Sequence, residues 1–281
     1  MRIVKTLVVV LPLVILLLAG LFLSSCEEQM IPIPPRPPLG EGRVLLIEEF
    51  TGVSCPPCAA GAIAIKNLAD ESEGAIIYYA IHGGFQSEPT STSKYDFRYD
   101  DAVTFENSAV FFGKPAASFN RIDIGNGETA KSNGSTWQPF IDAELEKRQV
   151  ADILVSAEYN NETRQATIFV GVTALEDING LININVVVSE SNLIDPQKSP
   201  TTTIQDFNHK HVMKSSLTSL SGDFLTETLL ADETKNKTYS YTLPDELNGE
   251  WNPENMEFTV FITAEARNGE IQQAEQIHLL D

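Results

Sequence analysis

Two cysteines separated by two prolines, Cys55 and Cys58, constrain the fold of this chain more than any other feature. Residues 43–50 precede them as an apolar run with β-branched side chains, a pattern typical of a buried strand. Residues 59–69 are rich in alanine and have helical composition, and residues 75–81 form a second apolar run. A CxxC placed between a strand and a helix of a βαβ unit predicts a redox-active cysteine pair.

The chemistry of disulfide exchange explains why this placement matters. At the start of a helix, unpaired amides and the helix dipole favour the thiolate of Cys55, the form that attacks a disulfide. Cys58, one turn later, would resolve the mixed disulfide, and this reaction requires no cofactor and no metal.

Two other roles for the cysteine pair stay open. A purely structural disulfide would close only a four-residue loop and would add little stability. A zinc site would need further ligands, and His209 and His211 alternate along the chain so that both can share one face. Those two histidines are also expected as a hydrogen-bonded structural pair.

The composition excludes some classes of protein. With 19 Lys and Arg against 39 Asp and Glu, the net charge is −20, which argues against a nucleic-acid-binding protein. The hydrophobic share of 42% is enough for a packed core. Three cysteines are too few for a fold held together by disulfides, so the third, Cys26, needs its own explanation.

The N-terminal segment indicates export from the cytoplasm. Arg2 and Lys5 precede an uncharged, mostly apolar run at residues 6–23, which fits a signal peptide, although a retained membrane helix would also fit its length. Residues 23–26, Leu-Ser-Ser-Cys, resemble the lipobox of bacterial lipoproteins.

The lipobox resemblance implies that residues 1–25 are a signal peptide and that Cys26 is acylated and anchors the chain in a lipid bilayer. Five prolines follow within residues 26–42 and predict an extended linker between the anchor and the first domain.

The segment around the CxxC also resembles a known family. Residues 47–55, Ile-Glu-Glu-Phe-Thr-Gly-Val-Ser-Cys, are similar to the active-site strand and loop of thioredoxins. That resemblance implies that Glu49, six positions before Cys55, is a buried acid that moves the proton of Cys58. The residues alone leave a salt-bridged Glu49 open. Ser54 departs from the family, which usually has tryptophan there.

A second element of the thioredoxin resemblance is Gly113-Lys114-Pro115, followed by a predicted strand at residues 116–122. It implies a cis peptide bond at Pro115 and a substrate contact through the backbone of Lys114, whereas an ordinary turn proline is the alternative. His82 follows the second strand, at the edge where open α/β sheets bind ligands. It is a candidate modulator of the thiolate or a packing residue.

From about residue 150 the pattern changes to alternation. Residues 152–159, 165–173 and 181–188 are predicted strands without helices between them, which indicates an antiparallel β-sandwich. We therefore predict an α/β thioredoxin-like domain at residues 43–149 and an Ig-like β-sandwich domain at residues 150–281.

The lipobox, the proline-rich linker, the Glu-Glu-Phe-Thr-Gly before the CxxC and the Gly-Lys-Pro together resemble the Omp28-related outer-membrane lipoproteins. This resemblance implies an outer-membrane location. We expect a thiol–disulfide oxidoreductase that acts on protein thiols and disulfides of the cell envelope. The alternative is a surface binding or adhesion lipoprotein in which the thioredoxin-like part is a non-catalytic scaffold.

Overall fold

The residues around the CxxC form the predicted strand–helix–strand unit. The computed structural model describes residues 42–280, so the predicted signal peptide and Cys26 lie outside the described residues. Strand β1 (Leu45–Phe50) is buried along its whole length, and helix α1 (Cys58–Glu71) follows it. Strand β2 (Ile76–Ile81) then pairs with β1 in parallel, in the register that aligns Leu45 with Ile76.

Strand β1 has a different core on each side because successive side chains of a strand point in opposite directions. Leu45 and Ile47 contribute to a core with Ile65 of α1. Leu46 and Phe50 contribute to a separate core with residues of the next helix. The two faces of β1 therefore lie in different surroundings.

The next elements continue the sheet and cover it. They are α2 (Asp100–Ser108), β3 (Ala116–Phe119), β4 (Lys131–Ser132) and α3 (Gln138–Leu145). Strand β3 runs antiparallel to β1 and aligns Ala117 with Glu49. It is shorter than the predicted strand at residues 116–122.

The remaining residues form ten strands in the described part of the chain. They are β5 (Ala151–Asn160), β6 (Gln165–Ala174), β7 (Ile178–Glu190), β8 (Leu193–Lys198), β9 (Thr203–His209), β10 (Val212–Ser216), β11 (Asp223–Leu229), β12 (Thr234–Thr242), β13 (Met256–Ala264) and β14 (Ile271–His278). Alternate residues of β6 are buried, which is the pattern of a strand with one face on a core.

Within residues 42–280 the strands form three sheets. A nine-stranded mixed sheet has the order β14-β13-β7-β10-β2-β1-β3-β4, with β11 paired to β7. Strands β12, β6 and β5 form an antiparallel sheet, and β8 and β9 form a two-stranded sheet of their own. The protein is thus rich in β-structure, with a mixed sheet and antiparallel sheets.

The large sheet includes strands from both sides of the predicted domain boundary at residue 150. Strand β10 pairs with β2 in parallel through Val212 and Ala80, and with β7 on its other side. The backbone N–H of Ala80 also donates to the carbonyl of His211, at 2.8 Å. Strands that follow residue 150 are therefore hydrogen-bonded to the CxxC unit.

The largest apolar core combines the three-stranded sheet with part of the large one. Ile153 and Val170 of the small sheet pack with Ile184 and Val260 of the large one. Full burial of a side chain of this size contributes about 1.5–3 kcal/mol. Among the helices of residues 42–280, none combines the length and apolar character needed to cross a membrane.

Candidate redox site

The two cysteines of the motif are bonded to each other. Cys55 and Cys58 form a disulfide, and their Cα atoms are 5.4 Å apart. Helix α1 begins at Cys58, with Pro57 as the preceding cap residue. Cys55 therefore lies in the turn before the helix, and its predicted position at the helix N-terminus is wrong by three residues. The consecutive prolines explain why the helix begins after Cys55, because a residue that precedes proline is disfavoured in the helical conformation.

Cys55 is not accessible in this structure, although attack on a client disulfide requires a reachable sulfur. Both cysteines have 0% of their surface exposed. The carboxamide of Gln197 in β8 donates from Nε2 to the carbonyls of Cys55 and Gly52, both at 3.1 Å. The backbone N–H of Lys198 donates to the carbonyl of Val53 at 2.9 Å. A hairpin from the C-terminal part of the chain therefore lies over the CxxC loop.

A second segment holds the CxxC loop from another side. The backbone N–H of Ser54 donates to the carbonyl of Gln86 at 2.9 Å. A Cβ atom on Gly52 would lie 2.2 Å from that same carbonyl oxygen, so only glycine allows this close approach. The loop between β2 and α2 thus lies against the cysteine loop.

Glu49 is buried beside a cavity. Only 1% of its surface is exposed, and its Oε1 atom has no hydrogen-bond partner within the described residues. Burial raises the pKa of Glu49 to about 8, opposed by a hydrogen bond from Thr51. The carboxyl group therefore carries a proton at neutral pH. The cavity has a volume of about 230 Å³ and is also lined by Ile63 of α1 and His209 of β9.

Pro115 is preceded by a cis peptide bond, which confirms that prediction. It lines a groove of about 660 Å³ together with Pro57, Gly61 and Phe112. A Cβ atom on Gly61 would lie 3.0 Å from the Pro115 ring, so the glycine permits α1 to pack closely there. Phe112 is 88% exposed at the same groove.

The side chain of Lys114 points into the protein. Its Nζ lies 2.7 Å from Oε2 of Glu106 and donates to Oγ of Ser87 at 2.8 Å. Burial lowers the pKa of Lys114, and the neighbouring Glu106 offsets part of this effect. Because the ammonium group is occupied, a substrate contact through Lys114 would involve its backbone, as the thioredoxin resemblance implies.

His82 belongs to a buried aromatic cluster. Its ring centroid lies 5.1 Å from that of Phe97 and 5.7 Å from that of His209, in edge-to-face contacts. Burial lowers the pKa of His82 well below its usual value and lowers that of His209 to about 4. Burial thus favours the neutral form of both rings, while a modulating role of His82 stays a prediction.

The expectation that His209 and His211 share one face is wrong. His211 has a positive φ of 49°, which interrupts the alternation between them. The Nδ1 atom of His211 lies 2.6 Å from a carboxylate oxygen of Glu257, away from the aromatic cluster around His209. The disulfide leaves no cysteine thiolate for zinc, and no group of three His, Cys, Asp or Glu side chains in residues 42–280 is arranged to hold a metal ion.

The sequence did not indicate Gln197 as a residue of this site. It lies in strand β8, which also contains Pro196, and proline inside a segment argues against a strand. Its partner Cys55 is 142 positions away in the sequence. No local pattern connects two residues at such a distance.

The fold and the site define a β-rich protein with a buried CxxC disulfide between a strand and a helix. Residues 102–278 match the family described as Outer membrane protein Omp28, and the chain belongs to this family. This membership confirms the predicted outer-membrane location. The match begins after Cys58, so it gives no information about the cysteine pair.

Solved structures similar to this chain include two from Porphyromonas gingivalis and one from Agrobacterium tumefaciens. HBP35 of Porphyromonas gingivalis is 15% identical, with 86% of this chain and 77% of that one covered and a TM-score of 0.62. A protein of Agrobacterium tumefaciens is 12% identical, with 86% and 97% covered and a TM-score of 0.51. A domain of the outer membrane lipoprotein Omp28 from P. gingivalis is 14% identical, with 47% and 88% covered and a TM-score of 0.33.

The first two likenesses show a shared fold and nothing about activity, because both identities are low. Among curated proteins, none matches this sequence.

Proposed function

We propose that the protein is an envelope-anchored thiol–disulfide oxidoreductase of thioredoxin type that acts on protein thiols and disulfides. The observation that carries the proposal is the Cys55–Cys58 disulfide between β1 and α1, with the buried Glu49 on the same strand. A carboxyl group whose pKa lies near the working pH can donate or accept a proton during exchange.

The proposal includes a thioredoxin-like arrangement of the N-terminal elements. The parallel pair of β1 and β2, the helix α1 between them and the antiparallel β3 after the cis Pro115 support it. The C-terminal strands would form an Ig-like sandwich that positions this unit or binds the client protein.

Oxidation of a client can be written for the disulfide form. A client thiolate attacks Sγ of Cys55, the Cys55–Cys58 bond breaks, and Cys58 leaves as a thiolate that takes the proton of Glu49. A second client thiol loses its proton to solvent and attacks the client sulfur of the mixed disulfide, which releases Cys55 as a thiolate. Two electrons pass from the client to the cysteine pair, and the reverse steps reduce a client disulfide.

The groove beside Pro115 suits an extended client segment. It runs between α1 and the residues that precede β3, and Phe112 offers an exposed apolar ring at its side. Apolar contacts there would hold the client while its sulfur reacts.

A second function has its own supporting observation. Because both cysteines are fully buried, the disulfide can also serve as a permanent part of a scaffold. In that case the protein is a surface binding or adhesion lipoprotein without redox activity.

Capture of a mixed disulfide distinguishes the two functions. In a Cys58→Ser variant expressed in its own envelope, Cys55 has no resolving partner, so an oxidoreductase accumulates covalent adducts with client proteins. Non-reducing electrophoresis and mass spectrometry would show these adducts, and the Cys55→Ser/Cys58→Ser double variant is the matched control. Adducts specific to Cys58→Ser support the oxidoreductase, whereas equal patterns in both variants support the scaffold.

A further inference from the structure

We propose that the hairpin of β8 and β9 is a cover over the cysteine pair and that it must move before Cys55 reacts. Gln197 is the positioning residue that fastens this cover. The inference rests on the proposed function and adds control of access to it.

The first argument is the direct bonding of the cover to the cysteine loop. Gln197 is 2% exposed, and its Nε2 atom is shared among the carbonyls of Gly52, Cys55 and Lys198, each at 3.1 Å. The backbone bond from Lys198 to Val53 extends this contact. The hairpin thus binds the backbone of the loop on which Cys55 lies, and Cys55 has no exposed surface.

The second argument is independent of the cysteines. Gln197, Phe207 and His209 of the same hairpin line the cavity that Glu49 also lines. A displacement of the hairpin would therefore admit water to Glu49 as well as a client to Cys55. Access to the sulfur and hydration of the acid would change in one event.

The third argument is that no backbone ladder joins the hairpin to the other sheets, although Leu193 packs against Val53 and Val212. Strands β8 and β9 pair only with each other among the described strands, so their displacement breaks no ladder of the larger sheets. The flanking residues Asn192 and His211 have positive φ angles of 61° and 49°, which marks both ends as sharp changes of direction.

The loop that precedes α2 supports the hairpin from outside. The backbone N–H of Lys94 donates to Oδ1 of Asp195 at 2.7 Å, and Oγ1 of Thr92 donates to Oε1 of Gln205 at 3.1 Å. The second of these bonds is exposed and does not involve the cysteine loop. Gln205 therefore provides a matched control for Gln197 on the same hairpin.

The test is the rate at which dithiothreitol reduces Cys55–Cys58 in the folded mature protein, read by alkylation and mass spectrometry. Gln197→Leu removes the donor to Cys55 and Gly52, so we expect reduction about tenfold faster. Gln205→Leu should change the rate by less than about twofold. Equal rates in wild type and Gln197→Leu would overturn the cover.

A second measurement separates opening from general destabilisation. Amide hydrogen exchange at Lys198, whose N–H bonds to Val53, should accelerate in Gln197→Leu, while exchange in strand β7 stays unchanged. Equal acceleration in β7 would show global unfolding and would overturn the cover.

The cover and the proposed function can fail separately. If Gln197→Leu accelerates reduction but a Gln197→Leu/Cys58→Ser variant captures no client, the cover stands and the oxidoreductase is wrong. If Cys58→Ser captures clients while Gln197→Leu leaves the reduction rate unchanged, the oxidoreductase stands and the cover is wrong.

Discussion

The two faces of strand β1 hold neighbouring carboxyl groups with opposite properties. Glu48 and Glu49 are both almost fully buried, at 4% and 1% exposed. On one face, Arg121 donates to both carboxylate oxygens of Glu48, and the hydroxyl of Tyr79 donates to Oε1. On the other face, Oε1 of Glu49 has no partner within the described residues.

The pKa values of Glu48 and Glu49 depend on their hydrogen-bonding and charged partners as well as on burial. Burial raises the pKa of Glu48, but the charge and hydrogen bonds of Arg121 and the bond from Tyr79 outweigh it, so the net pKa is lowered. Burial raises the pKa of Glu49 to about 8 because only a hydrogen bond from Thr51 opposes it. The charged partner therefore favours the ionised form of Glu48, and the absence of one favours the protonated form of Glu49.

The largest expected effect on stability concerns the ion pair of Glu48 and Arg121. Arg121→Met leaves the carboxylate of Glu48 buried without its cation and should lower the free energy of unfolding by about 3 kcal/mol. Urea denaturation at pH 7 measures the change. The Arg121→Met/Glu48→Gln double variant should recover part of the loss, since no uncompensated charge remains. A loss below about 1 kcal/mol in Arg121→Met would contradict the expected dependence of Glu48, unlike Glu49, on a charged partner.

The next largest effect concerns Glu49, and here the substitution is expected to raise the free energy of unfolding. The folded pKa of Glu49 lies near 8 and its usual value is 4.5, so the folded state binds more protons between these values. Stability is therefore lost as the pH rises through this window. Linkage sets an upper limit of about 5 kcal/mol for this loss at pH 8.5, and relaxation around a buried charge reduces it. Glu49→Gln removes the loss and should stabilise the protein by about 2 kcal/mol at pH 8.5, with little change at pH 4.5.

Thermal unfolding at the two pH values measures this effect, and Glu48→Gln is the matched control. Because the pKa of Glu48 is lowered, its contribution is present above the unfolded value and fades as the pH falls. Glu48→Gln should therefore destabilise at neutral pH and lose this effect in acid. The same pH trend in both variants would show that the faces do not differ.

The smallest effect concerns the hydroxyl of Tyr79. Tyr79→Phe removes one of the donors to Glu48 but leaves Arg121 in place, so we expect a loss of about 1 kcal/mol. Tyr78→Phe is the control, since Tyr78 belongs to the core on the other face of the sheet. Urea midpoints of the two variants, compared at pH 7, should show the larger loss for Tyr79→Phe.

The features that the sequence predicted are the local ones. The strand before Cys55, the helix after Cys58 and the cis bond at Pro115 depend on neighbouring residues, as does the alternation in β5 and β6. The thioredoxin resemblance implied a buried acid at Glu49, and Glu49 is buried.

The features that the sequence did not predict depend on distant partners. Glu48 is paired with Arg121 across 73 positions, so nothing in the strand itself distinguishes Glu48 from Glu49. The cover of Cys55 comes from Gln197, and the aromatic setting of His82 comes from His209. Burial of the cysteine sulfur therefore could not be predicted from the strand–helix pattern around it.

The rate of Cys55–Cys58 reduction, compared with the rate of global unfolding under the same conditions, tests the central claim most directly. A redox site that opens locally predicts reduction in the native state many times faster than unfolding. If the disulfide is reduced only as fast as the whole protein unfolds, it is a structural bond and the account of a redox site is contradicted.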